Sequence, residues 1–129
     1  MGQRIDAFNE FRSQMNESIL GKGTLQTKRF FNLDGAVYED GALSAKTKEL
    51  LGLTASMVLR CNDCITYHIL QCHERGVTPE EMAEALDVAL VVGGSIVIPH
   101  LRHARAILNE LAEDASSGAS VPRGPTPAA

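Results

Sequence analysis

Apolar side chains recur every three or four residues along most of this chain, which limits what it can fold into. The spacing places an apolar stripe on one face of an α-helix, whereas a half-buried strand needs strict alternation. The pattern is most regular near the C-terminus, at Val97, Leu101, Ala104, Leu108 and Leu111. It predicts a last helix that packs against a partner helix, within the chain or in another subunit.

Two more helices are predicted in the first half of the chain. The first has an apolar face and ends near Gly21 and Gly23. Its apolar positions are Ile5, Phe8, Phe11, Met15 and Ile19. Ser44 is a good N-cap for the second, which should run to about Arg60. Its apolar side is predicted to contain Leu50, Leu51, Thr54, Met57 and Val58. Between these helices, the mixed stretch 24–43 predicts only a short helix or turns.

Two further helices are predicted between residues 61 and 93. One begins near Cys61 or Asn62 and is closed by Gly76. The next begins at Thr78-Pro79-Glu80-Glu81, where Thr is the cap, Pro fits the first helical position and Glu81 completes a capping box. Its buried stripe is predicted at Met82, Ala85, Leu86, Ala89 and Leu90, and Gly93-Gly94 should interrupt it.

Length and composition agree with one helical domain. The chain has 129 residues, of which 44% are apolar but only 5% aromatic, and it lacks Trp. This composition favours packed helices over a β-sandwich. We predict an all-α, compact bundle of about five to six helices over residues 1–114. Residues 115–129 are rich in Ser, Pro and Gly, and are predicted to form a disordered tail.

Charge and hydropathy exclude two classes of partner. The net charge is −4, with 12 basic against 16 acidic residues, and phosphate binding needs a concentrated basic surface. No stretch approaches the roughly 20 apolar residues of a membrane helix. The N-terminus does not resemble a secretory signal. We therefore expect a cytoplasmic protein that binds neither nucleic acid nor membrane.

The three cysteines point to the chemistry. They cluster between residues 61 and 72, unlike the dispersed, even set of a disulfide-stapled secreted domain. In a reducing compartment such a cluster indicates redox chemistry or metal binding. Cys61 and Cys64 have the two-residue spacer that lets two sulfurs face each other. At the start of a helix, the backbone N–H groups should lower a thiol pKa from about 8.5.

Two further residues could move protons near this pair. His68 is four residues after Cys64, so both project to the same side of a helix. Glu49 is on the preceding helix, and antiparallel packing could bring its carboxylate beside His68. A carboxylate, an imidazole and a thiol in series would let the pair deprotonate near neutral pH.

One spacing pattern resembles the signature of the alkylhydroperoxidase D family, within the carboxymuconolactone decarboxylase-like superfamily. The pattern consists of Glu49, eleven residues, Cys61-Asn62-Asp63-Cys64, three residues and His68. The similarity covers about residues 40–112, including the turn at 76–81 and the segment 99–101. It implies an all-helical fold and a homo-oligomer, a trimer or a hexamer. It also implies peroxide reduction through a dithiol.

The resemblance assigns roles to the four residues. Cys64 would attack a hydroperoxide and Cys61 would resolve the resulting sulfenic acid, with Glu49 and His68 as proton relay. A thiol or dithiol protein would supply the electrons. One position departs from the pattern, because the best-known members carry His before the second cysteine, where this chain has Asp63. That negative charge should raise the thiol pKa and weaken peroxidase activity.

Two alternatives remain open from the sequence. The first is a lactone decarboxylase, which the intact cysteine pair argues against because decarboxylation needs no redox thiols. The second is a non-catalytic protein with a zinc site, for which the nominal ligands are Cys61, Cys64, His68 and either Cys72 or His73. Ligands on a single helix surround a metal poorly, so we predict no metal. The sequence contains no phosphate loop or nucleotide fingerprint, so we also predict no cofactor.

The remaining cysteine and histidines are assigned simpler roles. Cys72 is predicted to be a small buried core residue. His73 and His103 are predicted to be solvated or hydrogen-bonded surface residues. His100 follows Pro99, and the sequence does not show whether it approaches the thiols.

Overall fold

The computed structural model describes residues 2–117, which form six α-helices and a short 3₁₀ helix, Ser95–Val97, with no strand in that range. The helices are α1 (Gln3–Lys22), α2 (Leu25–Val37), α3 (Ala45–Val58), α4 (Asn62–Glu74), α5 (Pro79–Gly93) and α6 (Ile98–Ser117). The predicted all-α fold is confirmed. Among the described residues, no helix combines the length and apolar character needed to cross a bilayer.

Helix α4 is the centre of the bundle. It packs against α1, α3, α5 and α6, and every residue from 65 to 72 is buried. A helix that is covered on all sides tolerates little movement, because its neighbours are close-packed. The cysteine pair lies at its N-terminal end, as predicted, directly before this buried stretch.

The core contains the predicted stripes of α5 and α6. Met82, Leu86 and Ala89 are buried, as are Val97, Ala104, Leu108 and Leu111. The predicted apolar side of α3 is wrong at one position, because Leu51 is 55% exposed whereas Leu53 is fully buried. Truncating such a leucine to Ala typically costs about 2–5 kcal/mol of stability.

The predicted helix ends are confirmed. The Ser44 hydroxyl accepts a hydrogen bond from the backbone N–H of Thr47. Thr78 and Glu81 form the reciprocal capping box that starts α5. Gly76 and Gly94 have φ values of +83° and +82°, where an L side chain would be strained. Both glycines therefore stop the preceding helix.

Helix α2 is longer than predicted. Its 13 residues occupy a stretch for which only a short helix or turns was expected. The Thr24 hydroxyl caps its first turn by accepting from Thr27 N–H. At its other end, Lys48 Nζ donates to the carbonyl oxygens of Val37 and Glu39. The stabilising lysine comes from α3, so the local sequence around Asp34-Gly35 does not reveal it.

Helix α1 forms as predicted, but most of its apolar stripe is not core. Ile5 is fully buried, whereas Phe11 is 64% exposed and Met15 is also exposed. Its start is fixed by the Glu110 carboxylate, which accepts hydrogen bonds from the backbone N–H groups of Arg4 and Ile5. A carboxylate there stabilises the positive end of the helix dipole. Helix α1 is thus anchored at one end.

The predicted disordered tail is wrong at its first three residues, because helix α6 continues to Ser117. The remainder of the predicted tail, residues 118–129, lies outside the described residues.

Candidate active site

Cys61 is the N-cap of α4. Its sulfur accepts a hydrogen bond from the backbone N–H of Cys64, at 3.3 Å. The preceding Arg60 has φ +60°, a left-handed conformation that costs an arginine roughly 1 kcal/mol. This tight turn joins α3 to α4 and sets the direction of the first turn. The cysteines are free thiols, Cys61 partly exposed and Cys64 exposed.

The Cys64 side chain lines a cleft of about 640 Å³ between α1, α2, α4 and α6. Apolar side chains of α1, including Phe8, Phe11 and Met15, form one wall. The floor is polar and is formed by α4. Its side chains are Asp63, Cys64, Thr66, Tyr67 and His68. A hydroperoxide with an organic substituent could therefore place its oxygens on the floor and its substituent against α1.

Glu49 and His68 are in contact, as the spacing suggested. Glu49 Oε2 lies 2.8 Å from His68 Nδ1, and both residues are buried. Because a carboxylate accepts, Nδ1 carries the proton and Nε2 is left as the basic nitrogen. His68 lines the cleft one helical turn from Cys64. The imidazole can therefore take a proton from the cleft while Glu49 stabilises the resulting positive charge.

The Glu49 carboxylate is 0% exposed, and removing such a group from water costs several kcal/mol unless it is paired. Arg75 Nε lies 3.7 Å from its second oxygen, Oε1, which has no hydrogen bond within the described residues. His68 and Arg75 thus compensate the charge from two sides. Burial of a carboxylate lowers the stability of the fold even when cationic partners offset part of the desolvation cost. Such groups are often found at functional sites.

Gly52 makes room for the His68 ring. A Cβ at this position would lie 2.5 Å from His68 Cε1 and 2.8 Å from both ring nitrogens. No real side chain tolerates such a contact, so only glycine fits here while the ring keeps its place. Glu49 and Gly52 are one turn apart on α3, which holds the carboxylate and the ring on one helix face.

Two tyrosines enclose the imidazole. The ring centroids of Tyr38 and Tyr67 lie 5.4 and 5.1 Å from that of His68. The Arg12 guanidinium stacks 4.6 Å above the Tyr67 ring. Burial raises the pKa of both phenols, and the Glu49 carboxylate raises it further. Both tyrosines therefore stay protonated at neutral pH.

The expected lowering of the thiol pKa is wrong for Cys64. Burial raises the pKa of Cys64 to about 11, together with a hydrogen bond from its thiol to Cys61 and electrostatic interactions with Cys61 and Asp63. The hydrogen bond with the Cys64 backbone N–H lowers this pKa, as expected, but is outweighed by the other causes. The predicted effect of Asp63 is confirmed in direction. At pH 7 only about one Cys64 in ten thousand is a thiolate, so its attack requires a base.

Two histidines of α6 lie beside the cysteine turn, where sequence reasoning did not place them. His103 was expected on the surface, but it is half-buried, lines the cleft and makes a 2.7 Å hydrogen bond with the Thr66 hydroxyl. His100 Nδ1 donates to the side-chain oxygen of Asn62, at 2.8 Å. A sequence signal exists, because His100, His103 and Ile107 form a second stripe next to the apolar seam of α6.

Cys72 is fully buried, as predicted, and burial raises its pKa to about 12. It is a core residue rather than a reactive thiol. Within residues 2–117, no group of three or more His, Cys, Asp or Glu side chains is arranged to hold a metal ion. The zinc alternative therefore gains no support from the geometry.

A cysteine pair at the start of a buried helix, with a carboxylate–imidazole pair behind it, defines a class of helical thiol proteins. Residues 8–110 match the carboxymuconolactone decarboxylase family, and the chain belongs to that family.

Three relatives illustrate the match. A structure of a carboxymuconolactone decarboxylase family protein from Thermotoga maritima, for which a part in the antioxidative response has been suggested, is 59% identical; the alignment covers 88% of this chain and 97% of that one, with a TM-score of 0.84. An apo family member from Legionella pneumophila is 24% identical over 84% of this chain and 97% of its own, with a TM-score of 0.78, and shows the same fold. An uncharacterised protein of the cox locus of Paracoccus denitrificans is 33% identical over 64% of this chain and 74% of its own length.

Proposed function

We propose that this protein is a dithiol peroxidase, an alkylhydroperoxidase-like oxidoreductase that reduces hydroperoxides through Cys61 and Cys64. The observation that supports it best is the shared cleft, in which the Cys64 thiol lies one helical turn from His68, whose Nδ1 is held by the buried Glu49. A thiol with a pKa of about 11 needs a base within reach, and His68 Nε2 is that base.

The first half-reaction oxidises Cys64. His68 takes the thiol proton as the sulfur attacks the terminal peroxide oxygen. The S–O bond forms, the O–O bond breaks, and the leaving alkoxide takes the proton from His68. The products are an alcohol and a sulfenic acid at Cys64, which is a form that a neighbouring thiol readily captures. Glu49 stabilises the imidazolium that exists between the two proton transfers.

The second half-reaction closes the disulfide. Cys61 is the N-cap of the same turn and its sulfur lies against the backbone N–H of Cys64. The Cys61 sulfur attacks the sulfenic sulfur, the S–S bond forms, and hydroxide leaves with the Cys61 proton as water. A thiol or dithiol donor protein then reduces the disulfide by exchange. We place this cycle in the cytoplasm, because it requires a reducing thiol pool.

The relative from Thermotoga maritima supports the proposal, since a part in the antioxidative response fits removal of hydroperoxides. The same family contains the lactone decarboxylases that give it its name. Decarboxylation leaves both thiols unchanged, so thiol oxidation distinguishes the two activities.

The test is a thiol count on reduced, metal-free protein before and after one equivalent of cumene hydroperoxide. We expect two of the three thiols to be lost, because Cys61 and Cys64 form a disulfide while Cys72 is buried. Cys64→Ser should abolish the loss. Cys61→Ser should stop at one lost thiol, with a sulfenic acid that dimedone traps.

Cys72→Ala is the matched control and should still lose two thiols. A reduced wild-type protein that keeps all three thiols in excess hydroperoxide would exclude the peroxidase function.

A further inference from the structure

His103 is the one cleft imidazole with no role in the proposed proton relay. Its Nε2 lies 2.7 Å from the Thr66 hydroxyl oxygen, which lies 3.0 Å from the Asn62 carbonyl oxygen. The hydroxyl has a single proton, and the carbonyl can only accept, so Thr66 donates to Asn62. The hydroxyl oxygen must then accept from His103, which places the ring proton on Nε2.

This arrangement leaves Nδ1 of His103 as an acceptor. The ring also makes a hydrogen bond to the Asn62 backbone carbonyl, which can only accept and therefore shares the Nε2 proton, and the ring lines the cleft together with Asp63 and Cys64. An imidazole nitrogen that is fixed in position and still accepts a hydrogen bond suits a ligand that presents an O–H group.

The surroundings of His103 keep the ring neutral. Burial is the largest cause that lowers its pKa, and electrostatic interactions with Arg4 on α1 and His100 on α6 act in the same direction. The backbone carbonyl of Asn62 and the Asp63 carboxylate, both on α4, oppose them without reversing the shift. The Nδ1 lone pair is therefore available at neutral pH.

We propose that His103 binds the terminal O–H of the hydroperoxide through Nδ1 and aims that oxygen at Cys64. This inference rests on the proposed function and assigns its substrate-positioning residue. The peroxide O–H donates to Nδ1, and the Cys64 sulfur attacks the same oxygen. The S–O bond forms and the O–O bond breaks, while that proton stays on the sulfenic oxygen. The alkoxide takes the Cys64 proton from His68, so the two imidazoles have different tasks.

Two reactions of Cys64 can distinguish the role of His103 from that of His68. Alkylation of Cys64 by iodoacetamide needs a thiolate but offers no O–H for His103 to hold. Oxidation by a hydroperoxide needs the thiolate and also the O–H group that His103 holds. A residue that orients the peroxide affects oxidation alone, whereas a residue that only shapes the cysteine turn affects both reactions.

The experiment measures both rates in the Cys61→Ser background, where Cys64 is the only reactive thiol. We expect His103→Leu to slow oxidation by cumene hydroperoxide about 10–100-fold, which is at or below the roughly 100-fold minimum of an imidazole that transfers a proton, because His103 only positions the substrate. The rate of alkylation should change by less than about twofold, which corresponds to the roughly 0.5 kcal/mol that a substitution without a specific role typically causes. The pH profile of alkylation should keep its shape. His103→Asn keeps an acceptor oxygen near the Nδ1 position and should recover part of the loss.

Two further variants keep the result interpretable. Thr66→Val keeps the shape of the side chain but removes the hydroxyl that fixes the tautomer, and should slow oxidation less than His103→Leu does. His73→Leu makes the same side-chain change on α4 away from the cleft, and should leave both rates unchanged.

Each other outcome overturns the inference. If His103→Leu oxidises at the parent rate, the ring does not hold the peroxide. If oxidation and alkylation fall together, the role of His103 is structural. If the parent chain is alkylated at Cys64 but never oxidised, the proposed function fails, and the inference fails with it.

Discussion

Asp63 lies between the two cysteines in the sequence, and its charge contributes to the pH range in which Cys64 reacts. The carboxylate is one of the groups that raise the pKa of Cys64 to about 11. Because the thiolate is the attacking form, alkylation of Cys64 should accelerate about tenfold per pH unit from pH 7 and level off near pH 11. Asp63→Asn removes the charge and keeps the shape. We expect it to speed alkylation at pH 7.5 by about two- to fivefold, since Asp63 contributes less than burial and Cys61.

The measurement is the pH profile of iodoacetamide alkylation at Cys64, read by mass spectrometry. Glu113→Gln removes one exposed carboxylate at the far end of α6, and should leave the profile unchanged. A profile that Asp63→Asn does not move would show that burial and Cys61 alone determine the reactivity of this thiol.

At the scale of the helix, the substitution Gly52→Ala tests whether hydroperoxide oxidation depends on the position of the His68 ring. Alanine is favoured over glycine inside a helix by about 1 kcal/mol, so Gly52→Ala should strengthen α3 itself. Its Cβ would nevertheless lie 2.5 Å from His68 Cε1, which forces the ring away from Glu49. Because a displacement of about 1 Å in an active site can cost about a hundredfold in rate, we expect a large loss of hydroperoxide oxidation in a protein that remains folded.

Two measurements check this expectation, the oxidation rate and the NMR signal of the His68 Nδ1 proton. Gly21→Ala on α1 is the matched control, because nothing lies within 4 Å of the added Cβ. A Gly52→Ala protein that keeps both the proton signal and the rate would show that the cleft tolerates a shifted imidazole.

The helices also show where sequence reasoning succeeds. The contact between Glu49 and His68 could be anticipated, because both positions and the cysteine pair follow the spacing of a family signature. The catalytic roles of these residues stay a prediction. The place of His103 in the cleft could not be anticipated, since it depends on how α6 crosses α4, and no local pattern encodes that crossing. For the same reason the length of α2 was underestimated, as Lys48 from a different helix completes its C-terminal end.

At the scale of the whole molecule, helices α2 and α5 each carry an exposed apolar strip outside the cleft, whereas the exposed apolar residues Phe11 and Met15 of α1 line the cleft. One lies on α2 and contains Phe30, Leu33 and Val37. The other lies on α5 and contains Val88, Val91 and Val92. Single exposed apolar residues are ordinary, but clusters of them usually mark contact surfaces. We propose that a second copy of this chain covers them, in keeping with the homo-oligomer that the resemblance implies.

Two different strips on one chain favour a closed ring over a simple dimer. A dimer can be built from one self-complementary patch, whereas two unlike patches on each copy allow head-to-tail contacts that close as a trimer, or as a hexamer of two such rings. We therefore expect the wild-type protein to sediment as a species of about three or six times 13.9 kDa. Burying a carboxylate without a partner costs several kcal/mol, so Phe30→Glu or Val91→Glu should each release smaller species. Gln26→Glu adds the same charge at an exposed polar position of α2 and should leave the assembly intact. If the wild-type protein sediments as a monomer at high micromolar concentration, both strips face water or an unrelated partner, and the proposed ring is wrong.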